Sequence, residues 1–372
     1  MKDHHLASIE KLFHLKYLCL SSSSIHKLPE KIGELQYLET LDVRYTAIKE
    51  LPSTITKLQR LAHLYVGRDV RFPDGTIGQM HSLEELKEYG VHSCEQGKSL
   101  QEFSKLTKLR TLKIRLVFYF LRVDWQTNQV SVDKARQAED WYSYVGTLLS
   151  SCDLHNLYIE GSDYPLSLDS WLPPAPCSLR KLCIKNPPVY KVPNWMGSLG
   201  NLVVLELVML CVRPEDVEIL GAIPSLLFLE IATAGGTNGR ITVHGSNGFR
   251  SLKYFSLEIY SCGTALEFQV GSMPNLEHVR LKFPAHKSRC LNNGASSLGI
   301  QHLSAISKVE VIIHGNCESD DSNYDPTEDE NDGAVRGVAR AINGAIMTLP
   351  NRPTVTFVTG GWCVRFERVS FV

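Results

Sequence analysis

A short apolar pattern recurs along most of the chain: Leu, two residues, Leu, one residue, and then Leu, Ile or Val. It occurs twelve times, and successive copies start 22–30 residues apart except for one interval of 45. The copies start at Leu15, Leu38, Leu61, Leu83, Leu109, Leu154, Leu179, Leu202, Leu226, Leu252, Leu276 and Ile306. A period of this length indicates small structural units, each of which buries its apolar side only against its neighbours.

Each copy also predicts its own local structure. In the second copy, Leu41 and Val43 alternate with polar residues, which indicates a short strand with one buried side. Thr46 follows where its hydroxyl can satisfy backbone groups in the bend, and Pro52 ends the extended stretch. The sequence therefore predicts an α/β solenoid. More specifically, we expect a leucine-rich-repeat horseshoe of about twelve repeats, with a parallel sheet on the concave face and short or irregular helices on the convex face.

Departures from the period predict the organisation of the chain. We expect the solenoid to span residues 1–315, with a helical insertion at 116–150. Residues 316–333 are acidic and nearly devoid of apolar side chains, which predicts a flexible loop. A helix and a strand within 334–358 are expected to close the solenoid before a tail at 359–372.

Two places fit the pattern poorly. The fourth copy is weak, because Glu88 stands where an apolar residue belongs. At the other place, the first repeat begins almost at Met1, whereas solenoids need an end repeat with a polar outer face. We therefore expect the chain to be a fragment, or another domain or partner to cover that end.

Composition excludes several classes of function. The formal net charge of −1 gives no general attraction to nucleic acid or to anionic membranes. No signal peptide and no run of 18 apolar residues occurs, so we expect a cytoplasmic protein. The ten cysteines include no C-x-x-C pair, which favours free thiols in a reducing compartment over a zinc site.

Catalytic motifs are missing from the sequence. It contains neither G-x-S-x-G nor H-E-x-x-H. The triplet Gly97-Lys98-Ser99 matches the end of a phosphate-binding loop, but His92 replaces the leading glycine. We therefore expect no enzyme activity, no cofactor, no metal and no small-molecule substrate.

Candidate binding residues are those that alternate with the buried leucines and so point from the concave face. Adjacent strands lie about 4.8 Å apart, so equivalent positions should form ladders. Aromatic and arginine side chains on such a surface are typical of protein interfaces. The twelve candidates are Arg44, Tyr65, Lys113, Arg115, Tyr158, Lys185, Glu206, Phe228, Glu230, Tyr254, Arg280 and Lys282. Six further residues predicted on the same face are Tyr17, Asp42, His63, Lys181, Glu258 and Lys308.

Residues 14–67 resemble the leucine-rich repeats of plant intracellular immune receptors, especially in KLPEKIGELQYLETLDVR and ELPSTITKLQRLAHL. The C-terminal MTLPNRPTVTF resembles the end of the same proteins. These are the nucleotide-binding leucine-rich-repeat disease-resistance proteins, and the phrasing is most similar to the coiled-coil class of cereals. Members of that family carry a coiled coil and a nucleotide-binding (NB-ARC) switch domain before the repeats, and neither occurs in this sequence.

The resemblance implies a recognition module with protein partners only. In the family, this region senses pathogen effectors or monitored host proteins and restrains the NB-ARC switch domain, in cis or in trans. Three alternatives remain open at this point: an adaptor such as the substrate-recognition part of a ubiquitin ligase, a leucine-rich-repeat scaffold, and an inactive truncated receptor fragment. No nucleic-acid or membrane partner is implied.

Overall fold

The computed structural model describes most of the chain in twelve segments. These are residues 3–91, 101–116, 145–150, 152–161, 165–173, 176–233, 240–245, 248–259, 265–284, 298–314, 344–349 and 351–359. They fall into two compact units, Met1–Pro188 and Val189–Val372, which are described in turn.

The first unit is built on a parallel sheet whose strands follow one another in chain order. Its strands are β1 (Tyr17–Cys19), β2 (Thr40–Asp42), β3 (His63–Tyr65), β4 (Glu85–Val91), β5 (Thr111–Leu116), β6 (Asn156–Glu160) and β7 (Lys181–Val189). Short 3-10 helices lie at Asp3–Leu6, Ile9–Lys11, Glu30–Glu34, Ser53–Lys57, Ile77–Gln79 and Phe103–Lys105, and residues 145–150 are α-helical.

The second unit contains a parallel sheet and a smaller two-stranded sheet. The larger sheet has the order β8 (Val204–Met209), β9 (Phe228–Thr233), β11 (Tyr254–Ile259), β13 (His278–Pro284), β14 (Lys308–His314) and β15 (Thr354–Thr359). The smaller sheet pairs β10 (Arg240–Val243) with β12 (Ala265–Phe268), also in parallel. The helices are an α-helix at Pro214–Gly221, 3-10 helices at Asn194–Ser198 and Ile300–His302, and a helical turn at 344–347.

The predicted repeat structure is confirmed: each of the twelve apolar copies forms a strand of these parallel sheets. In the second copy, Leu38, Leu41 and Val43 are fully buried. The Thr46 hydroxyl donates to the Val43 carbonyl at 2.8 Å, as the bend requires. Burying an aliphatic side chain contributes roughly 1.5–3 kcal/mol relative to leaving it exposed, so the rows of buried leucines stabilise each unit.

The fourth copy forms a strand with a local irregularity that explains Glu88. Pairing of β4 with β5 shifts register between Leu86 and Tyr89, so one extra residue is accommodated. Glu88 takes up the shift with a φ of 64°, and Tyr89 and Val91 return to the core. The expectation that an apolar residue belongs at position 88 was therefore wrong, because a bulge moves the apolar positions along by one residue.

Several sequence predictions lie partly or wholly outside the described residues. Of the insertion predicted at 116–150, residues 145–150 are helical and 117–144 lie outside. The acidic segment 316–333 lies outside the described residues, whereas the strand expected near the end of 334–358 is present as β15. The predicted domain boundaries themselves stay predictions.

Candidate recognition surface

The side of each strand that faces away from the core carries ladders of polar and aromatic side chains. Each unit has one such ladder that consists of residues paired in register on adjacent strands. The first ladder contains Tyr17, Thr40, His63 and Glu85, and the second contains Phe228, Tyr254, His278 and Lys308. We call this side of the strands the recognition face.

At the start of the recognition face, Arg44 is fixed by two neighbours. Asp42 at the end of β2 accepts hydrogen bonds from Arg44 Nε at 3.0 Å and from Nη2 at 2.7 Å. The guanidinium carbon also lies 5.0 Å from the centre of the Tyr65 ring, within the range of a cation–π contact. The planar guanidinium of Arg44 is thereby held in one orientation. Binding of a partner would then cost less side-chain conformational entropy at this residue.

Tyr65 and Glu85 link β3 to β4. The Tyr65 hydroxyl donates to Glu85, and Lys87 Nζ lies 2.8 Å from the other oxygen of the same carboxylate. Burial and the bond to Glu85 raise the pKa of the Tyr65 phenol, so this hydroxyl stays protonated. His63 Nδ1 lies 3.3 Å from Oε2 of the Glu85 carboxylate.

Four charges close a ring of ion pairs across β4, β5 and β6. Lys113 lies 2.9 Å from Glu88 and 3.1 Å from Glu160. Arg115 lies 3.1 Å from Glu88 and 2.7 Å from Glu160. Burial alone would raise the pKa of Glu88, but the two cations outweigh it and hold that pKa below its ordinary value. The cluster is neutral and half-buried, so it fixes the strands more than it attracts a charged ligand.

In the second unit, three rings follow one another across β9, β11 and β13. Phe228 and Tyr254 stack with ring centres 4.2 Å apart and planes parallel to within 1°. The His278 ring packs edge-on against Tyr254, with centres 4.8 Å apart. Burial lowers the pKa of His278, so its imidazole is neutral near pH 7. We call these three half-buried rings, Phe228, Tyr254 and His278, the aromatic shelf. Polar groups lie at its border.

Charged residues of β11, β13 and β14 border this aromatic shelf. Glu310 pairs with Lys308 and lies 3.7 Å from Arg280 Nε, and Lys282 pairs with Glu258. On the other side, Glu206 and Glu230 are register partners on β8 and β9. Like charges at neighbouring positions of adjacent strands repel slightly.

The structure places all twelve candidate residues on the recognition face, half-buried or exposed. Among the six further residues, Asp42 is the exception, because only 3% of it is exposed and it serves to hold Arg44. The sequence analysis did not select Glu88, Glu160 or Glu310, which complete the ion pairs. Register across strands was the missing signal, since Glu88 and Glu160 lie 25–47 residues away from Lys113 and Arg115, and Glu310 lies 30 residues away from Arg280.

Neither a candidate metal-binding group nor a candidate membrane-spanning helix occurs among the described residues. Within the described segments, no three His, Cys, Asp or Glu side chains are grouped so that they could hold a metal ion. No helix in the described part is both long and apolar enough to cross a membrane. What the geometry does present is an extended side of sheet with fixed cations, ion pairs and stacked rings.

Fold and surface together define a repeat protein that displays side chains from successive parallel strands. A family model described as a leucine-rich repeat region matches residues 1–355. The chain therefore belongs to the leucine-rich-repeat family, whose members typically act as protein-interaction scaffolds. Among solved structures, an internalin (inlF) from Listeria monocytogenes has a TM-score of 0.51 at 14% identity, covering 96% of this chain and 83% of that one. That likeness shows the fold alone.

The similar curated proteins are plant disease-resistance proteins. Disease resistance protein RGA5 of rice (Oryza sativa subsp. japonica) is 27% identical over 315 residues, which is 83% of this chain and 26% of that protein. Disease resistance protein Pik-2 of the same species is 27% identical over 335 residues, 76% of this chain and 31% of that protein. The predicted resemblance is thus confirmed, and the chain spans between a quarter and a third of the length of these relatives.

Proposed function

We propose that this chain is the non-enzymatic, protein-recognising part of a plant intracellular immune receptor. In this proposal it senses a pathogen effector or a monitored host protein and restrains a nucleotide-binding switch domain. The observation that carries the proposal is the recognition face, where residue types typical of protein interfaces follow one another on successive strands. The similarity to disease-resistance proteins supplies the biological setting.

Several side chains of the recognition face are preorganised, which supports this proposal. Binding is weakened by every side chain that must be immobilised, and here the candidate contacts are already held. Arg44 is held by Asp42, and the Phe228 ring is stacked on Tyr254. A partner that lies along the strands would therefore meet anchors that lose little entropy on contact.

The direct test uses a phage-displayed library of random twelve-residue peptides, selected on the immobilised full chain. We expect enriched peptides to bind at least tenfold more weakly to the Tyr65→Ala and Tyr254→Ala variants. Control variants are Lys57→Ala in a 3-10 helix and Glu218→Ala in the α-helix, both exposed and away from the strands. Peptides that bind all four variants alike, or no enrichment over a blank surface, would contradict the proposal.

Two further measurements address the receptor setting and the absence of catalysis. An in-frame nucleotide-binding domain in the transcript before the codon for Met1 would support the restraint of a switch domain in cis, and a transcript without one would contradict restraint in cis. ATP hydrolysis by the purified chain above that of a heat-denatured sample would contradict the non-enzymatic assignment.

A further inference from the structure

His278 lies where the aromatic shelf meets the charged residues at its border. Its ring packs edge-on against Tyr254, with ring centres 4.8 Å apart, and Tyr254 in turn stacks on Phe228. Towards β14, His278 Nε2 lies 3.6 Å from Oε2 of the Glu310 carboxylate. A change in the charge of His278 would therefore act on both the rings and the charged border.

The surroundings of His278 favour its neutral form. Nε2 is buried and has no hydrogen-bond partner among the described residues, since 3.6 Å is too long for a hydrogen bond. Burial lowers the pKa of His278, the Glu310 carboxylate opposes that effect, and the cations of Lys308 and Arg280 add to it. The side chain is still 24% exposed, so a partner that covers the shelf would bury it further.

Four titratable or charged groups face His278 from three strands. Tyr254 lies on β11, Arg280 on β13, and Lys308 and Glu310 on β14. Glu310 is the single carboxylate among these four, and it already pairs with Lys308 and lies 3.7 Å from Arg280 Nε. Protonation of His278 would thus place a third cation around one carboxylate, directly beside the rings.

The other charged residues at this end of β11 and β13 form ion pairs of their own. Lys282 pairs with Glu258 within the two strands, and Lys253 pairs with Glu277 at 2.9 Å just before them. Each of these carboxylates already has a cation. Neither of them is therefore available to balance a charge on His278 unless its own pair opens.

We propose that binding at the aromatic shelf is linked to protonation of His278: a partner that covers the three rings with apolar groups binds the neutral form, and acidification weakens the complex. This inference rests on the proposed function and adds regulation of the same surface. The rings of Phe228 and Tyr254 suit apolar side chains. Such a partner removes water from the imidazole, and burying a charged group costs more than burying a neutral one. Binding should therefore release protons, and affinity should fall as pH falls.

The test measures the affinity of display-selected peptides by titration calorimetry at pH 7.5, 6.5 and 5.5. The peptides are those whose binding depends on Tyr254, made with blocked termini and chosen without Asp, Glu or His so that they do not titrate themselves. We expect the affinity of the original chain to fall about three- to tenfold from pH 7.5 to 5.5. For His278→Gln the fall should be less than about twofold. His81→Gln, at an exposed turn of the first unit, is the control and should behave like the original chain.

Proton release is a second readout that a purely structural role of His278 would not give. Titrations at pH 6.5 in two buffers of different ionisation enthalpy count the protons exchanged on binding. The original chain should release a fraction of a proton per bound peptide, and His278→Gln should release none. Near-UV circular dichroism at each pH identifies any variant that is no longer folded.

The contrary results separate this inference from the proposed function. If affinity did not change with pH, rose on acidification, or fell equally in the original chain and in His278→Gln, the role of His278 would be overturned and the proposed function would stand. Peptides that depend on Tyr65 but not on Tyr254 would remove the aromatic shelf from the binding surface and overturn the inference as well. If no peptide depended on either tyrosine, the proposed function itself would fail.

Discussion

The recognition face of the first unit and that of the second use different chemistry on the same backbone. In the first unit, charges are closed into pairs, as Lys113 and Arg115 are by Glu88 and Glu160. In the second unit, the stacked rings of Phe228 and Tyr254 lie at the centre of the recognition face, and charged residues such as Arg280 and Glu310 border them. The repeat constrains only the buried positions, so the positions between them are free to differ.

The outer sides of the two units differ as well. In the first unit, several described connections are short 3-10 helices, and Glu30–Glu34 and Ser53–Lys57 pack closely enough that a Cβ on Gly33 would lie 2.6 Å from Thr54 O. In the second unit, an α-helix and the β10–β12 sheet occupy this side. These larger elements bring aromatic residues into the core, including Phe268, which is fully buried.

The largest expected effect concerns this outer sheet. Phe268 on β12 packs edge-on against Phe255, with ring centres 6.1 Å apart. Phe268→Ala should lower the free energy of unfolding by about 3–5 kcal/mol, since a large cavity forms in a side that cannot easily collapse. The midpoint of urea denaturation, followed by far-UV circular dichroism, measures it.

Val270 supplies the matched control, because it lies two residues away and is 77% exposed. Val270→Ala should change the free energy of unfolding by no more than about 0.5 kcal/mol. If the two variants unfolded at the same urea concentration, the outer sheet would not belong to the core of the second unit.

The sequence predicted the parts of the fold that repeat. Leucines at fixed spacing require a buried row in every strand, so the strands and the bend at Thr46 were predictable from single copies. The β10–β12 pair was not predicted, because two four-residue strands carry no repeated signal and lie between copies of the main pattern.

The sequence predicted which side of the strands carries the candidate residues. It did not predict which residues those side chains contact. Alternation placed Lys113 and Arg115 on the correct face, but only the register of β5 with β6 reveals Glu160 as their partner across the 45-residue interval. The backbone of Tyr45 was equally hidden, because its left-handed φ of 56° contradicts the local propensity of a tyrosine.

A smaller effect is expected from opening the ring of ion pairs in the first unit. Glu88→Gln keeps the shape but removes one charge, so Lys113 and Arg115 share Glu160 alone. The expected loss is about 1–2 kcal/mol of unfolding free energy at pH 7, and it should shrink in 1 M NaCl. Exposed Glu30, changed to Gln, is the control and should have almost no effect.

The same variant has a defined dependence on pH. Because the folded pKa of Glu88 is depressed, its contribution is present above the unfolded value near 4.5 and is lost as pH falls through the folded value. Curves of Tm against pH for the original chain and for Glu88→Gln should therefore converge progressively as pH falls below 4.5. Parallel curves down to acid unfolding would show that Glu88 is not held by its cations.

The smallest expected effect is a loss of stability between pH 7.5 and 5.5 that comes from His278 in the aromatic shelf. This range lies above the one in which Glu88 of the ion-pair ring affects stability. His278 faces Tyr254, Glu310, Lys308 and Arg280, and burial lowers its pKa below the ordinary 6.5. The unfolded chain therefore takes up a proton first as pH falls below 6.5, and stability is lost between that value and the folded pKa. Tm should fall more between pH 7.5 and 5.5 for the original chain than for His278→Gln. His81→Gln, at an exposed turn of the first unit, should behave like the original chain, and equal slopes for all three would remove His278 as the source of the pH dependence.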